Sequence, residues 1–342
     1  MTECGATVNT AHLPAAELEV KSEKLRTIAI EAAHTVAPGI LAAFRTDISS
    51  MEKRNNHDIV TSVDVNTEKR LVELLTEHYT PGAYFLGEEG GYRKHKDSGY
   101  GTDSGCRANS QANAPNISGL QWIVDPIDGT SNFVHGFDMF STSIAAELNG
   151  HIVAGAVHAP ALGMTFSANT RGAWLQYAGE EPIRLGTRTS AASAQLPGNI
   201  AQAEPESERP ESALNLVTSI PLPEYLNQEC LEAYKIFVST YATVRRVVSG
   251  ALELCYTAAG WADISAGIFV YPWDIAAGQY IVRQAGGTYF SYGERPEYQG
   301  IQPARSVTHY APHFLSFAPG VSSPTARDTM TRLVLPSLIA KD

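Results

Sequence analysis

The sequence predicts an α/β fold built in layers, with helices stacked against sheets in the α+β manner. Three observations predict it. Apolar runs of strand length alternate with segments of helical period. The alternation is interrupted by an acidic, proline-broken stretch and then resumes, which makes two lobes. The acidic motifs fall where an apolar strand ends or a helix begins, the positions at which a layered fold presents a rigid site.

Taken in order, residues 1–16 lack a periodic pattern and are expected to form a flexible tail. A helix is predicted from about Glu17, because Leu25, Ile28, Ala29, Ala32 and Val36 share one helical face. Pro38-Gly39 is expected to kink or end it before Ile40-Leu41 and Phe44. Val65 to Tyr79 reads as a second helix, with Asp64 in the N-cap position. Strand signals follow at Tyr84-Phe85-Leu86, Gln121 to Val124, Ser141 to Ala146, His151 to His158 and Met164 to Ser167. Residues 91–119 have few large apolar residues and read as a long surface loop starting beside Glu88, either a plain insertion, which a loop absorbs at small entropic cost, or a lid. Residues 190–212, including Glu204-Pro205-Glu206-Ser207-Glu208-Arg209-Pro210-Glu211, read as an acidic linker between lobes of about 17–190 and 213–342. The second lobe resumes with a strand at Leu214 to Val217, a helix over Pro223 to Val238 and a strand from Ala262 to Ile268. Between the last two, Ala251, Leu254, Cys255 and Ala258 form a helical face with Gly260 as C-cap.

The 342 residues are 44% hydrophobic, enough to bury about three quarters of the unfolded surface in one body. Against 25 basic residues stand 36 acidic ones, and the net charge of −11 disfavours nucleic acid or an anionic membrane as partner. Cys4, Cys106, Cys230 and Cys255 contain no C-x-x-C pair and no disulfide framework. The N-terminus lacks a basic start with an apolar stretch, and no run of about 20 apolar residues occurs, so a cytoplasmic location is expected.

Two motifs carry the chemistry. Trp122-Ile123-Val124-Asp125-Pro126-Ile127-Asp128-Gly129-Thr130-Ser131-Asn132-Phe133 runs an apolar strand into a turn, and Pro272-Trp273-Asp274-Ile275-Ala276-Ala277-Gly278 puts a carboxylate at a helix start. Pro126 fixes φ between Asp125 and Asp128, so a tight turn is expected to bring both side chains to one point, with the Ile127 carbonyl as a third oxygen. Oxygen donors without His or Cys select Mg2+ or Mn2+ over zinc. Gly129-Thr130-Ser131 adds successive backbone N–H groups, a concavity for phosphate oxygens. Singly, an Asp before Pro is usually a turn former and an Asp at a helix start an N-cap. Together they point to phosphoryl chemistry. His135 is the one histidine placed near this site, and it reads as structural.

These residues resemble the inositol monophosphatase family, within the superfamily of lithium-sensitive, magnesium-dependent phosphatases. Asp125 to Gly136 is similar to its first signature, and Trp273 to Gly278, continuing to Gln284-Ala285-Gly286-Gly287, to its second. Gly87-Glu88-Glu89 matches the upstream Gly-Glu-Glu, and Lys53 with Asp58 to Asp64 matches the N-terminal block. The resemblance covers about residues 20 to 320. It implies a five-layer αβαβα sandwich, with residues 17–342 as a single catalytic domain. It also implies two to three Mg2+ ions per site, Mn2+ being an alternative. Glu88, Asp125 and the Ile127 carbonyl would hold the first, Asp125, Asp128 and Asp274 the second, and Glu88 with waters a third. Asp64 and Thr130 would be catalytic, orienting the attacking water. Gly129, Thr130, Asp128 and Gly250 would contact substrate, the amides of Gly129 and Thr130 gripping phosphate. Lithium inhibition is implied as well, and a homodimer is expected. Because the side chains supply no obvious nucleophile, direct in-line attack by water is expected, without a phosphoenzyme.

The chain also departs from the pattern. Gly267 stands where the inositol-specific branch has a glutamate seven positions before Asp274, and Val248 and Gly250 replace the Gly and Ala of its Gly-Ser/Thr-Ala-Ala run. Losing a charged acceptor for a ring hydroxyl removes about 1.5–3 kcal/mol of specificity, so a Glu restored at Gly267 is expected to recover selectivity for inositol phosphate. The function expected is a Mg2+-dependent phosphomonoesterase acting on inositol monophosphate or a related polyol or sugar phosphate. Histidinol phosphate, fructose 1,6-bisphosphate and nucleotide 3′-phosphate are alternatives of the same class, and the Thr-Ser-Asn-Phe tail resembles the inositol type. Some bacterial members of the family imply a different class, a regulatory binding protein of a transcription complex. The complete carboxylate set favours the enzyme.

Overall fold

The computed structural model of the chain describes residues 14–46, 50–52, 59–80, 82–94, 119–186, 209–222, 226–293 and 308–339. Most of the expected tail, insertion and linker, together with Lys53 and Asp58, lies outside them. The described strands are β1 (Ser50–Glu52), β2 (Ile59–Thr61), β3 (Tyr84–Gly87), β4 (Gly91–Lys94), β5 (Leu120–Asp128), β6 (Ser141–Leu148), β7 (His151–Ala159), β8 (Met164–Asn169), β9 (Gly172–Tyr177), β10 (Ile183–Arg184), β11 (Asn215–Thr218), β12 (Thr243–Arg245), β13 (Ile264–Gly267), β14 (Thr288–Tyr292) and β15 (His313–Phe317). The α-helices are α1 (Ala15–Ala43), α2 (Ser62–Val72), α3 (Thr130–His135), α4 (Gln228–Thr240), α5 (Gly250–Ala258), α6 (Pro272–Gln284), α7 (Pro324–Thr329) and α8 (Leu335–Ile339). None of the described helices is long and apolar enough to cross a membrane.

Side-chain alternation along β5 explains the layering. Trp122 and Val124 pack with Leu25, Ile28 and Ala32 of α1 and Leu71 of α2, whereas Ile123 packs with Ala251 and Leu254 of α5 and Ile275 of α6. Both faces of the first sheet are therefore covered, and even the polar residues of its inner strands, such as Ser143 of β6 and Thr165 and Ser167 of β8, are buried. That sheet has eight strands in the order β10-β9-β8-β7-β6-β5-β3-β4, antiparallel except for the β3–β5 pair. The second sheet has the order β12-β11-β13-β15-β14. Phe314 and Tyr289 of this sheet join the α5–α6 layer, while Leu216, Ile264, Leu315 and Phe317 pack with Cys230, Ala233 and Phe237 of α4 and Ala326 of α7. The layers run helix, sheet, helix, sheet, helix, the five-layer sandwich expected.

Two helices differ from their expected form. α1 continues through Pro38. A proline inside a helix forfeits one backbone bond, but burial of Val36, Ala37 and Ile40 on either side holds the helix together across it. The second helix begins at Ser62, so its N-cap is Thr61 and Asp64 lies one turn inside, at the third helical position. It then widens into π-helical turns over Glu73–Tyr79. The helix expected from Pro223 is described from Gln228, where the Asn227 side chain caps it by accepting from Cys230 N–H at 2.7 Å.

Candidate active site

The site begins at the end of β5. In a regular strand, residues three apart point to opposite faces, so Asp125 and Asp128 could not meet. The pairing with β6 slips between Asp125, opposite Ser143, and Asp128, opposite Ser141. The Pro126-Ile127 step is thus a bulge in a continuing strand rather than the tight turn expected. Pro126 has no N–H to give the ladder, but its carbonyl accepts from the Thr142 hydroxyl at 2.9 Å, which keeps the segment on the sheet. The bulge turns both carboxylates to one side. One oxygen each of Asp125, Asp128 and Asp274 lies within 4.8 Å of the others, an all-oxygen group that could hold a hard divalent ion.

The three acids are held differently. Asp125 is buried and accepts from its own bulge, Ile127 N–H at 3.0 Å. Burial, then the charges of Glu88, Asp128, Asp274 and Asp64, push its carboxyl well above the usual range. Asp128 sits over the start of α5 and accepts from the Ser249 hydroxyl, from Gly250 N–H at 3.2 Å and from Ala251 N–H at 2.9 Å. Burial still pushes it up to about 6, with those three bonds opposing the rise and Glu88 adding to it. Asp274 is at the third position of α6, where it accepts Tyr271 N–H at 2.7 Å. α6 is fastened to the first sheet by Ser143, whose hydroxyl donates to the Trp273 carbonyl at 3.1 Å. Glu88 follows β3, which runs parallel to β5 and delivers it to the same end of the strands. It is not one of the three clustered acids, yet its charge acts on both Asp125 and Asp128.

Asp64 and Thr130 meet. Fully buried, Asp64 accepts Thr61 N–H at 2.9 Å and the Thr61 hydroxyl at 2.5 Å on Oδ2. The Thr130 hydroxyl lies 3.0 Å from Asp64 Oδ1 and 2.9 Å from the Ile127 carbonyl, with one proton to give. Gly129 adopts a left-handed φ of 88° at the cap of α3 and lets the chain turn from strand to helix. The Gly250 amide is engaged by Asp128. His135 Nδ1 lies 2.7 Å from the Ser131 carbonyl, the structural part expected of it.

Gly267 corrects the expectation about the inositol wall. A Cβ there would lie 2.3 Å from Phe314 Cε1, and Phe314 is buried opposite it in the strand register. The position looks into an aromatic core, so a glutamate placed there would collide with Phe314 and bury a charge. Sequence reasoning also passed over Ser249, Asn132, Glu68 and Glu253. Ser249 was visible as the hydroxyl of the Gly-Ser/Thr-Ala-Ala run. Asn132, inside the first signature, ties α3 across the site by donating to the Met139 carbonyl at 2.6 Å and the Val247 carbonyl at 2.8 Å.

With this geometry in place, comparison with known proteins is decisive. The sequence profile of the inositol monophosphatase family matches residues 21–315. The chain belongs to the inositol monophosphatase family. It is 31% identical over 263 residues to the Nus factor SuhB of Pasteurella multocida, covering 76% of this chain and 82% of that one. It is 27% identical over 259 residues to the inositol monophosphatase of Dictyostelium discoideum, covering 76% and 81%. Among solved structures, the Thermotoga maritima IMPase superposes with a TM-score of 0.63 at 23% identity, over 91% of this chain and 98% of that one, a likeness of fold. Membership in the inositol monophosphatase family supports a phosphatase with a small phosphorylated substrate. That family generally uses Mg2+, and the Asp125, Asp128 and Asp274 group fits such an ion by donor type.

Proposed function

We propose that this chain is a Mg2+-dependent phosphomonoesterase that hydrolyses inositol monophosphate or a related polyol or sugar phosphate by direct attack of water. Residues 17–342 act as one catalytic domain of two lobes, in a homodimer in the cytoplasm. The observation that carries the reading is the meeting of three clustered carboxylates, two of them buried and one half-buried, with the Asp64–Thr130 pair at the end of β5. Asp125, Asp128 and Asp274, with Glu88 and the Ile127 carbonyl, are the residues to hold Mg2+. Divalent ions there would supply Lewis acidity toward water and neutralise phosphoryl charge.

The chain's own residues do the rest. Asp64 keeps the Thr130 hydroxyl proton directed inward, which leaves Thr130 Oγ1 lone pairs to accept a hydrogen bond from the attacking water and so aim it. Gly129 and Thr130 amides contact the phosphate, and Asp128 and Gly250 stand where the alcohol of the substrate leaves. With Gly267 turned into the core, the ring-facing wall lacks the usual carboxylate and should accept a range of polyols.

Phosphate release tests the reading. Inositol 1-phosphate, glycerol 2-phosphate, histidinol phosphate, fructose 1,6-bisphosphate and a nucleoside 3′-phosphate, each with Mg2+ and then with chelator, should give turnover that vanishes in chelator and is greatest for a polyol phosphate. Lithium should inhibit without competing with substrate. The name of the Pasteurella relative raises the second reading, a regulatory binding protein in transcription. No phosphate release from any of the five substrates would favour it.

A further inference from the structure

α2 carries a second buried acid one turn beyond Asp64. Glu68 lies four residues on and therefore on the same helical face, and only 1% of its surface is exposed. A carboxylate so deep needs donors, and Glu68 Oε2 accepts Glu89 N–H at 2.8 Å. The same oxygen also presses on the backbone at Gly87. A Cβ there would stand 2.4 Å from Glu68 Oε2 and 2.6 Å from Phe85 Cε1, so only glycine lets the carboxylate come this close. Glu68 thus fills the inside of the 87–89 turn, bonded to one end and packed on the other. Between those two points sits Glu88, whose charge acts on Asp125 and Asp128.

We propose that Glu68 is a positioning residue that locks the Gly87-Glu88-Glu89 turn so that Glu88 confronts Asp125, and thereby sets how tightly the site takes a divalent ion. It touches neither substrate nor ion. The first glycine of the motif then has a definite job, to make room for the Glu68 carboxylate, and a single helix, α2, serves both the water-aiming pair through Asp64 and the ion through Glu68. The proposal rests on the reading of Glu88 as a metal residue.

Mn2+ binding to the metal-free chain, followed by calorimetry and by the spin-resonance signal of free Mn2+, separates the two. Glu68→Ala should weaken Mn2+ binding by about tenfold, the effect of losing one charge-assisted hydrogen bond. Glu68→Gln keeps an acceptor for Glu89 N–H and should restore binding to within about twofold, a rescue that a merely space-filling role would give to Glu68→Met as well. In turnover, Glu68→Ala should raise the Mg2+ concentration for half-activity while KM for substrate at saturating Mg2+ stays put. Should Glu68→Ala fail to fold, Gly87→Ala displaces the same turn from the other side and should give the same loss. Wild-type Mn2+ affinity in whichever of these two variants folds overturns the proposal. If Glu88→Gln itself binds Mn2+ as the wild type does, the metal reading of Glu88 fails, whatever Glu68 does.

Discussion

Asp125 and Asp128 stand three residues apart on one strand and are equally deep, yet the protein treats them differently. Asp128 receives the Ser249 hydroxyl and two amides at the start of α5, where the helix dipole also favours an anion. Asp125 receives Ile127 N–H and is surrounded by four other acids. The second lobe thus prepares Asp128 as an anion, while Asp125 is left to be neutralised by something from outside. The contrast teaches how a cation site can be assembled without collapsing when empty: one carboxylate is anchored by protein donors, and the other carries the repulsion that a cation relieves.

The largest expected effect follows from breaking the unanchored half. Asp125→Asn should cost at least about a hundredfold in kcat/KM, since several kcal/mol of charge stabilisation are at stake. In chelator, by contrast, the same change removes a repelled charge, and the melting temperature should hold or rise. A fall in both would show that Asp125 is anchored as well as Asp128 and would erase the contrast.

Asp128→Ala should cost activity too, and in addition act on the fold. It strands the Ser249 hydroxyl and the amides of Gly250 and Ala251, and a loss of about 2 kcal/mol is expected with or without Mg2+. Chemical denaturation in both conditions measures it. Stability that changes only when Mg2+ is present would mean that the α5 donors contribute little.

The same contrast explains what could be read in the sequence. Motifs announce residues whose types recur together, so Asp125, Asp128, Asp274, Asp64 and Glu88 were legible, and with them the family's layered fold. The bulge was not, because Asp-Pro-Ile-Asp fits a turn equally well until the pairing with Ser143 and Ser141 is known. Glu68 was hidden because a lone glutamate on a charged helix usually faces solvent, and its burial, its bond from Glu89 N–H and the closeness of Gly87 appear only in the folded chain. The aromatic-rich strands Thr288–Tyr292 and His313–Phe317 had the composition of strands, but Phe314 filling the space beside Gly267 is a tertiary fact that no local pattern carries. Pro38 misled in the opposite direction, since its local cost is outweighed by packing from both sides.

Glu253 sharpens the comparison on the α5 side. It is buried one turn into α5, accepts Val247 N–H at 3.3 Å, and burial first, with the charge of Asp128 adding, pushes it up to about 8. The unfolded chain releases this proton near 4.5, so between 4.5 and about 8 the folded state binds one proton more than the unfolded state. Stability must therefore fall as pH rises through that window and level off above it. Glu253→Gln keeps an acceptor for Val247 and has no proton to lose, so its melting temperature should decline less between pH 5 and pH 8, by an amount worth about 3–4 kcal/mol at the upper end. Parallel slopes in the two proteins would place the titration elsewhere.

The smallest expected effect comes from the residue between Glu253 and Asp128. Val248 holds a φ of 62°, the one β-branched residue among the described non-glycine positions with positive φ, and its side chain is 47% exposed. A left-handed conformation costs a β-branched residue roughly 1–2 kcal/mol, and glycine gives back about 0.5–1 kcal/mol of that in the entropy of the unfolded chain. The carbonyl of Val248 lies close against Gly129, 3.0 Å from where a Cβ would be, so the loop is held by its neighbours and not by the valine side chain. Val248→Gly should therefore raise the melting temperature by about 2 °C and leave kcat/KM within about twofold. A lower melting temperature would show that the valine packs in a way its exposure conceals. A large loss of activity with the fold intact would show that the strain itself keeps the Ser249, Gly250 and Ala251 donors aimed at Asp128, and that the anchored half of the site depends on a backbone conformation glycine is too free to hold.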